Sequence, residues 1–242
     1  MPQLSVVIPF RDEGPSLALL HAELARVLDA LPFAAEILFV DDASSDDGPL
    51  VVAGLAARDP RIRLLVLAPH SGQSAALEAG FRAAQGELVA ILDADLQNDP
   101  ADLPALLAAL DEADCVCGVR QARRDRLSAR IASRVANGVR RRVLGDAISD
   151  IGCSLRVVRR SFLERLPMFH GAHRFLPVLL AQGGARIVER PVHHRPRRYG
   201  RSKYGVWMRL RVVWADLLGV AWLARRRMRY EVKEPGRLSP RA

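Results

Sequence analysis

The 242-residue chain lacks several features by which large classes of protein are recognised. It has only three cysteines, Cys115, Cys117 and Cys153, and no Cys-x-x-Cys pair. This argues against a disulfide scaffold and against a zinc site, and it suits a reducing compartment. Because Cys115 and Cys117 are two apart in an apparent strand, we expect their side chains to point to opposite faces.

Long hydrophobic runs and nucleotide-binding glycine motifs are also missing. No apolar run reaches the roughly 20 residues that cross a bilayer, and the nearest, residues 217–224, is followed by Arg225. We therefore expect no membrane-spanning helix. The opening MPQLSVVIPF has no basic region and is interpreted as a first strand, not a signal peptide. There is no Gly-x-Gly-x-x-Gly and no Gly-Lys-Ser/Thr, which argues against a nicotinamide enzyme and a P-loop NTPase.

Aromatic residues are scarce, whereas positive charge is abundant. Phe, Trp and Tyr make up 5% of the chain, and the formal net charge is +9. That balance indicates a polyanionic partner: nucleic acid, an anionic membrane surface or a phosphorylated substrate. The scarcity of aromatic residues near the basic runs argues against a stacking platform for nucleic acid.

The first half of the chain alternates between two patterns. Apolar runs at 4–10, 35–42, 62–68, 88–95 and 114–120 predict strands, and segments of helical spacing at 15–31, 47–60, 74–86 and 100–113 separate them. Strands that are apolar throughout predict a parallel sheet covered on both faces. Right-handed crossovers then bring the carboxyl ends of the strands to one edge, where such sheets bind ligands.

Oxygen-bearing side chains cluster at the predicted end of the fourth strand, in LDADLQNDP. Asp93, Asp95 and Gln97 do not begin an EF-hand loop, because the sixth and twelfth positions would be Asn98 and Pro104 in place of Gly and Glu. Two carboxylates and an amide oxygen are suitable ligands for a Mg²⁺ or Mn²⁺ ion that also binds a diphosphate.

Seven stretches together resemble family 2 glycosyltransferases, most closely the branch of dolichol-phosphate mannose synthase and the bacterial polyprenyl-phosphate glycosyltransferases. They are SVVIPFRDE, ILFVDDASSDDG, SGQSAALEAGF, LDADLQNDP, GVRQARRD, SDIGCSLRV and HRPRRYGRSKYG, covering roughly residues 3–205. The resemblance implies a GT-A fold, which is a Rossmann-like, mostly parallel α/β sheet flanked by helices. It also implies a UDP- or GDP-linked sugar donor, Mg²⁺ or Mn²⁺, and a polyprenyl-phosphate acceptor at the cytoplasmic membrane face.

The resemblance also assigns roles to individual residues of this sequence. It implies nucleotide-sugar binding by Pro9, Glu13, Asp41, Asp42, Gly72, Gln73 and Asp93. The metal and diphosphate site falls on Asp93, Asp95 and Gln97, with the two aspartates acting in catalysis through the metal. Binding of the acceptor and its phosphate falls on Arg120, Arg130, Ser133, Arg134, Arg198, Ser202 and Lys203.

The chemistry expected of these residues is inverting transfer of one sugar to a lipid phosphate. A phosphate monoester has a second pKa near 6 and is already an anionic nucleophile at neutral pH, so it needs no general base. Transfer to a saccharide hydroxyl is an alternative that would need one. A basic nucleic-acid-binding module is a second alternative, but Asp41, Asp42, Asp93 and Asp95 would repel phosphates without a metal.

Three regions are predicted: a glycosyltransferase domain at 1–205, an amphipathic helix at 206–230 and a disordered tail at 231–242. On the helix, Trp214, Leu218 and Trp222 share one face, which suits either a membrane interface or docking on the domain. Arg126, Arg130 and Arg134 share a face of an earlier segment. We expect one or two of them to bind the acceptor phosphate and the others to face anionic lipid. Lipid access would come from peripheral binding or from a partner, and the expected protein partners are a second copy of the chain in a homo-oligomer or a membrane protein.

Overall fold

The computed structural model describes residues 1–121, 137–196 and 206–226, and the side chains of 206–213 are not described. Within this part of the chain, one mixed sheet has seven strands in the order β3-β2-β1-β4-β6-β5-β7. The strands are β1 (Leu4–Phe10), β2 (Ala35–Asp41), β3 (Ile62–Val66), β4 (Leu88–Ile91), β5 (Cys115–Arg120), β6 (Arg156–Arg159) and β7 (Ile187–Val192). Only β6 runs against its neighbours β4 and β5; the other pairings are parallel.

Helices cover both faces of this sheet. They are α1 (Gly14–Asp29), α2 (Gly48–Ala56), α3 (Gln73–Ala83), α4 (Leu103–Ala108), α5 (137–144), α6 (Arg160–Leu163), α7 (Leu176–Gln182) and α8 (Val206–Arg226). Because side chains alternate along a strand, Ile8 packs with Leu20 of α1 on one face, whereas Val7 packs with Leu77 of α3 on the other. The prediction of a mostly parallel sheet between two helical layers is confirmed.

Three details differ from the sequence-based expectation. The strands β6 and β7 were not predicted. The helix expected at 100–113 is divided into α4 and two flanking 3₁₀ turns. Pro104 cannot donate a hydrogen bond to the preceding turn, which accounts for the first division. The placement of Cys115 and Cys117 on opposite faces was wrong: residues two apart in a strand share a face, and the two Sγ atoms are 3.7 Å apart.

The terminal helix α8 packs on the domain through a stripe other than the one that carries the tryptophans. Leu217 and Val220 are buried in a small cluster with Phe175, and Asp216 accepts a hydrogen bond from Arg174 at 3.2 Å. Trp214, Leu218 and Trp222 remain exposed. None of the helices in the described ranges is sufficiently long and apolar to traverse a bilayer.

An ion-pair network fixes the amino end of β3, at the edge of the sheet away from the polar loops. Arg61 donates from Nε to Asp59 Oδ1 at 2.9 Å and from Nη2 to Asp59 Oδ2 at 2.8 Å. Nε2 of His21 lies 2.9 Å from the same Oδ2. The hydrogen bonds from Arg61 hold the pKa of Asp59 well below its usual range.

We expect Asp59→Asn to lower the free energy of unfolding at pH 7 by about 2 kcal/mol, because it removes the charged acceptor of Nε and Nη2 of Arg61 and leaves the guanidinium only its contact with Asp29. Since the pKa of Asp59 is depressed in the folded state, its contribution is complete above the unfolded value near 3.9 and is lost as the pH falls through the folded value. Urea unfolding at pH 7, 5 and 3 measures this.

The matched control is Asp111→Asn, which changes an exposed aspartate and should leave stability within about 0.5 kcal/mol. If the two variants unfolded alike at pH 7, the structural role of the Asp59 network would be rejected.

Candidate active site

The sheet opens between β1 and β4 at Pro9. Leu92 N donates to Val7 O at 3.2 Å, whereas Phe10 O accepts from Asp42 N at 3.0 Å. Backbone groups therefore alternate between the two neighbours of β1, and Pro9 faces the β4 side. Pro has no N–H to donate, and β4 has already ended at Ile91. The order β3-β2-β1-β4 also changes direction here, which is the position where open α/β sheets bind ligands.

Backbone strain is concentrated at this same edge. The non-glycine residues with positive φ in the described chain are Asp12 (55°), Ala43 (54°) and Leu96 (63°). They follow β1, β2 and β4, the three strands that surround the opening. Each left-handed residue costs about 1–2 kcal/mol, and such residues cluster where function requires a particular loop shape.

Carboxylates after β1 and β2 tie two of these loops together. Asp12 Oδ1 accepts from Ser45 N at 2.7 Å and from Ser45 Oγ at 3.0 Å. Asp41 is buried and accepts from the backbone and hydroxyl of Ser44. Glu13 precedes α1, and its side chain does not cap that helix. The binding roles implied for Asp41 and Glu13 therefore stay predictions, and the direct role visible for Asp41 is to shape the loop.

Asp42 holds the loop that precedes α3. Its carboxylate accepts from Ser71 N at 2.7 Å and from Gly72 N at 2.9 Å, and His70 Nδ1 lies 2.8 Å away. Gly72 has a φ of +88°, a conformation that suits glycine. The next residue, Gln73, donates from Nε2 to Asp93 Oδ1 at 3.1 Å. The fold thus brings four residues implied in donor binding, Asp42, Gly72, Gln73 and Asp93, into one chain of contacts.

The candidate metal ligands follow β4 in a tight turn around Leu96. Gln97 N donates to Asp95 Oδ1 at 3.1 Å, and Gln97 O accepts from Arg195 N at 2.8 Å. In the described ranges no three His, Cys, Asp or Glu side chains converge on one point. Mg²⁺ characteristically takes one or two carboxylates and completes its shell with substrate phosphates and water. The donor set of Asp93, Asp95 and Gln97 fits a metal held in that way.

An arginine clamp, not anticipated from the sequence, joins the end of β7 to this region. Arg195 Nη1 lies 2.7 Å from Glu23 and its Nη2 lies 2.6 Å from Asp99. His193 Nδ1 is 2.7 Å from Asp102 Oδ1, and this hydrogen bond raises the pKa of the exposed imidazole. Because these partners are more than ninety residues away in sequence, spacing along the chain gave no signal for them.

Arg120 is held by the motif whose role the sequence left open. Its Nε and Nη2 donate to the two carboxylate oxygens of Asp150, each at 2.8 Å. A Cβ at Gly152 would lie 2.7 Å from Arg120 Nη2, so the close approach favours glycine. Asp150 therefore positions Arg120, and the acceptor-binding role of Arg120 stays a prediction.

The other residues implied in acceptor binding are not part of the described chain. They are Arg130, Ser133, Arg134, Arg198, Ser202 and Lys203. The predicted tail at 231–242 also lies outside the described residues.

A cavity of about 640 Å³ lies beside Asp93 on the α3 face of the sheet. Gln73 and Asp93 line one part of it, and Trp214 and Leu217 of α8 line another. Its walls are mostly apolar, and they include Leu77, Ile91, Val139, Ile151, Phe175 and Leu176. The volume falls within the roughly 300–1,000 Å³ of small-molecule sites.

His173, which also lines the cavity, is neutral at pH 7. Burial, with Arg174 and Arg156 nearby, lowers its pKa to about 4. Ser74 Oγ accepts from Gly171 N at 3.1 Å and from His173 N at 3.2 Å, so its hydrogen is directed to His173 Nδ1 at 2.8 Å. The imidazole then keeps its proton on Nε2, which makes it a donor and not a general base.

We expect Ala43→Gly to raise the free energy of unfolding by about 0.5–1 kcal/mol. Removing Cβ relieves the left-handed strain, and this outweighs the greater backbone entropy of glycine in the unfolded chain. Ala53→Gly is the matched control, because Ala53 is an exposed residue in regular helix α2. The free energy of unfolding of the Ala53→Gly variant should fall by about 1 kcal/mol. Equal losses in urea unfolding would show that Ala43 is not strained.

Comparison with known proteins places the chain among sugar transferases. The family model for Glycosyl transferase family 2 matches residues 5–166. Undecaprenyl-phosphate 4-deoxy-4-formamido-L-arabinose transferases from Salmonella choleraesuis (strain SC-B67) and Salmonella newport (strain SL254) are 40% identical over 218 residues, covering 89% of this chain. The chain spans 66% of the length of these curated relatives.

Solved structures share the fold. Glucosyl-3-phosphoglycerate synthase from Mycobacterium tuberculosis, in complex with Mn²⁺ and UDP-glucose, superposes with a TM-score of 0.69 at 19% identity, covering 91% of this chain and 79% of that one. The same enzyme in complex with Mg²⁺ and UDP superposes with a TM-score of 0.66 at 18% identity, covering 93% of this chain and 79% of that one. The predicted GT-A fold is confirmed. Because the family model matches more than half of its length, the chain belongs to glycosyl transferase family 2.

Proposed function

We propose that the protein is a metal-dependent, inverting glycosyltransferase that moves one sugar from a nucleotide-sugar donor to a polyprenyl phosphate. The observation that carries the proposal is the cavity, which adjoins Gln73 and Asp93 and continues between apolar walls to Trp214 on α8. Such a shape suits the meeting of a polar donor and an amphiphilic acceptor. The relatives that transfer a sugar to undecaprenyl phosphate support the same acceptor class.

The donor diphosphate is assigned to the opening between β1 and β4. Asp93, Asp95 and Gln97 would hold Mg²⁺ or Mn²⁺ there, and a bound cation neutralises the charge that the leaving diphosphate gathers. Gln73 orients Asp93 through its amide. Asp42 holds the loop before Gln73 through two backbone N–H groups. The solved relatives bound to UDP and UDP-glucose make UDP-linked sugars the first donors to test.

The acceptor is assigned to the cavity because the described lining lacks a suitable base for a hydroxyl. His173 is neutral and its Nδ1 already accepts from Ser74. The lining carboxylate, Asp93, is assigned to the donor side. A lipid phosphate needs no base, since its oxygen is anionic at neutral pH. In-line attack by that oxygen, with departure of the nucleoside diphosphate, inverts the anomeric centre.

Two other functions remain as outcomes of the tests. A saccharide hydroxyl acceptor would require a base from outside the described lining. A nucleic-acid-binding module loses support because many arginines of the described chain, including Arg61, Arg120, Arg140 and Arg195, are paired with carboxylates.

We assign the protein to the cytoplasmic face of a membrane, as a peripheral protein. Leu218 and Trp222 of α8 are 62% and 57% exposed, and exposed Arg225 and Arg226 follow them. Tryptophan beside arginine on an amphipathic helix suits an anionic interface. The three free cysteines suit the reducing cytoplasmic side.

The direct test is transfer of labelled sugar from a panel of UDP- and GDP-sugars into organic-extractable polyprenyl phosphate. We expect label in the lipid with Mg²⁺ or Mn²⁺ and none with chelator. Asp95→Ala should lower kcat/KM by about 100-fold or more, because the diphosphate charge is no longer neutralised.

Asp111→Ala, an exposed aspartate remote from the opening, should behave like the unmodified protein. If no donor labelled the lipid while the folded protein still bound UDP or GDP, the lipid-phosphate acceptor would be rejected. Hydroxyl acceptors would then be tested next.

A second experiment tests membrane association. The double variant Leu218→Glu and Trp222→Glu should bind vesicles containing anionic lipid at least about tenfold more weakly in co-sedimentation, because it places two carboxylates on the apolar face. Leu50→Glu is the matched control, since Leu50 is 76% exposed on α2 and should bind normally. Equal binding by both variants would contradict an interfacial role for α8.

A further inference from the structure

Arg156 is a buried arginine that makes no ion pair with a carboxylate of the described residues. It begins β6 and is only 3% exposed. Its Nη2 donates to the main-chain carbonyl of Cys153, and within the described chain its Nε and Nη1 have no hydrogen-bond partner. A buried guanidinium without a counter-charge is costly. A bound anion would offset this cost.

The two other arginines that line the same cavity are each hydrogen-bonded to a carboxylate. Arg140 is also buried, and its guanidinium donates to both oxygens of Asp146, at 3.0 Å and 2.9 Å. Arg174 donates to Asp216 at 3.2 Å. Arg156, Arg140 and Arg174 all line the cavity. Among the described residues, Arg156 therefore differs from Arg140 and Arg174 in having two buried donors, Nε and Nη1, without a partner.

The register of the sheet places Arg156 close to the donor diphosphate site. Arg156 is paired with Ile91, the last residue of β4, and Asp93 follows two residues later. Arg156 and Asp93 line the same cavity. An anion bound to Arg156 would thus lie beside the place assigned to the departing diphosphate, where the nucleophile of a transfer reaction must be.

We propose that Arg156 binds the phosphate of the polyprenyl-phosphate acceptor, and that the apolar walls of the cavity hold the first isoprene units of its chain. The inference rests on the proposed function and adds to it a binding residue on β6. The phosphate would supply the counter-charge for the Arg156 guanidinium, and a guanidinium group can bind two phosphate oxygens at once. His173 adds a neutral N–H donor to the lining, not a second charge.

The walls favour the lipid phosphate over the sugar of the donor as the group held by Arg156. A sugar needs hydrogen-bond partners for its hydroxyls, and Leu77, Ile151 and Phe175 offer none from their side chains. An isoprenoid chain needs none. Trp214 lines the cavity and is also exposed on the α8 face with Leu218. An apolar path therefore joins the cavity to the surface that we assign to the membrane.

Arg156→Gln, Arg156→Met and Arg156→Lys test this assignment by steady-state kinetics with both substrates varied. Loss of a hydrogen-bonded charge pair should raise the KM for polyprenyl phosphate by about tenfold or more in the Gln and Met variants. The KM for the nucleotide sugar should stay within twofold. Lysine keeps the charge without the fork, so Arg156→Lys should recover part of the loss.

Direct binding supplies a readout that does not depend on turnover. Calorimetry should show farnesyl phosphate binding to the purified full chain more tightly than farnesol or inorganic phosphate, and Arg156→Gln should weaken it by about tenfold. Arg159→Gln is the matched control, an arginine at the other end of β6 that bonds Leu110 O. It should change neither binding nor KM.

Thermal unfolding distinguishes a binding role from a structural one. Since Arg156 makes no ion pair with the described residues, Arg156→Met should leave Tm unchanged or raise it. A lowered Tm with both KM values unchanged would overturn the inference in favour of a structural role. A raised donor KM with an unchanged acceptor KM would overturn it in favour of the sugar.

The two proposals fail in different ways. If the unmodified protein transferred no sugar to polyprenyl phosphate, the proposed function would fail, and farnesyl phosphate binding would still decide the role of Arg156. If transfer occurred but Arg156→Gln bound farnesyl phosphate normally, the inference alone would fail.

Discussion

The parting of β1 from β4 at Pro9 is the constraint on which the site depends. Because Pro9 donates no hydrogen bond, the parallel ladder between β1 and β4 ends here, and Asp93, two residues beyond Ile91, lines the cavity outside the sheet. The turns that follow adopt left-handed conformations at Asp12, Ala43 and Leu96, and the two-layer core supplies the stability that tolerates this strain.

The acidic residues at this edge of the sheet have two different roles. Asp12 and Asp42 accept from the backbone of neighbouring loops, and Asp41 accepts from Ser44 of its own loop, so they fix loop shape before any substrate binds. Asp93 is held by a side-chain amide and lines the cavity. Fixed loops reduce the ordering that a bound transition state would otherwise require. Carboxylates concentrated in this way also favour a cation between them and a diphosphate.

The sequence allowed the framework of the fold to be predicted, but not the partners of its charges. Strands β1 to β5 and the edge carrying Asp93 and Asp95 followed from hydrophobic patterning, which is a local signal. The strand β6 was missed because it is four residues long with an arginine at each end. The pairing of Arg120 with Asp150 joins residues thirty positions apart. Nothing in the local sequence distinguishes Arg156, which is buried without a carboxylate partner among the described residues, from the arginines that are paired.

Charge balance across the cavity connects these observations. Asp93 and Arg156 line the same cavity with opposite charges, and no carboxylate of the described residues forms an ion pair with Arg156. A donor diphosphate with its cation would satisfy the acidic edge, and an acceptor phosphate would satisfy the arginine. Both phosphate groups would then lie beside positive charge in a low-dielectric cavity, where electrostatic interactions are strong. The geometry therefore favours assembly of both substrates before the glycosidic bond breaks.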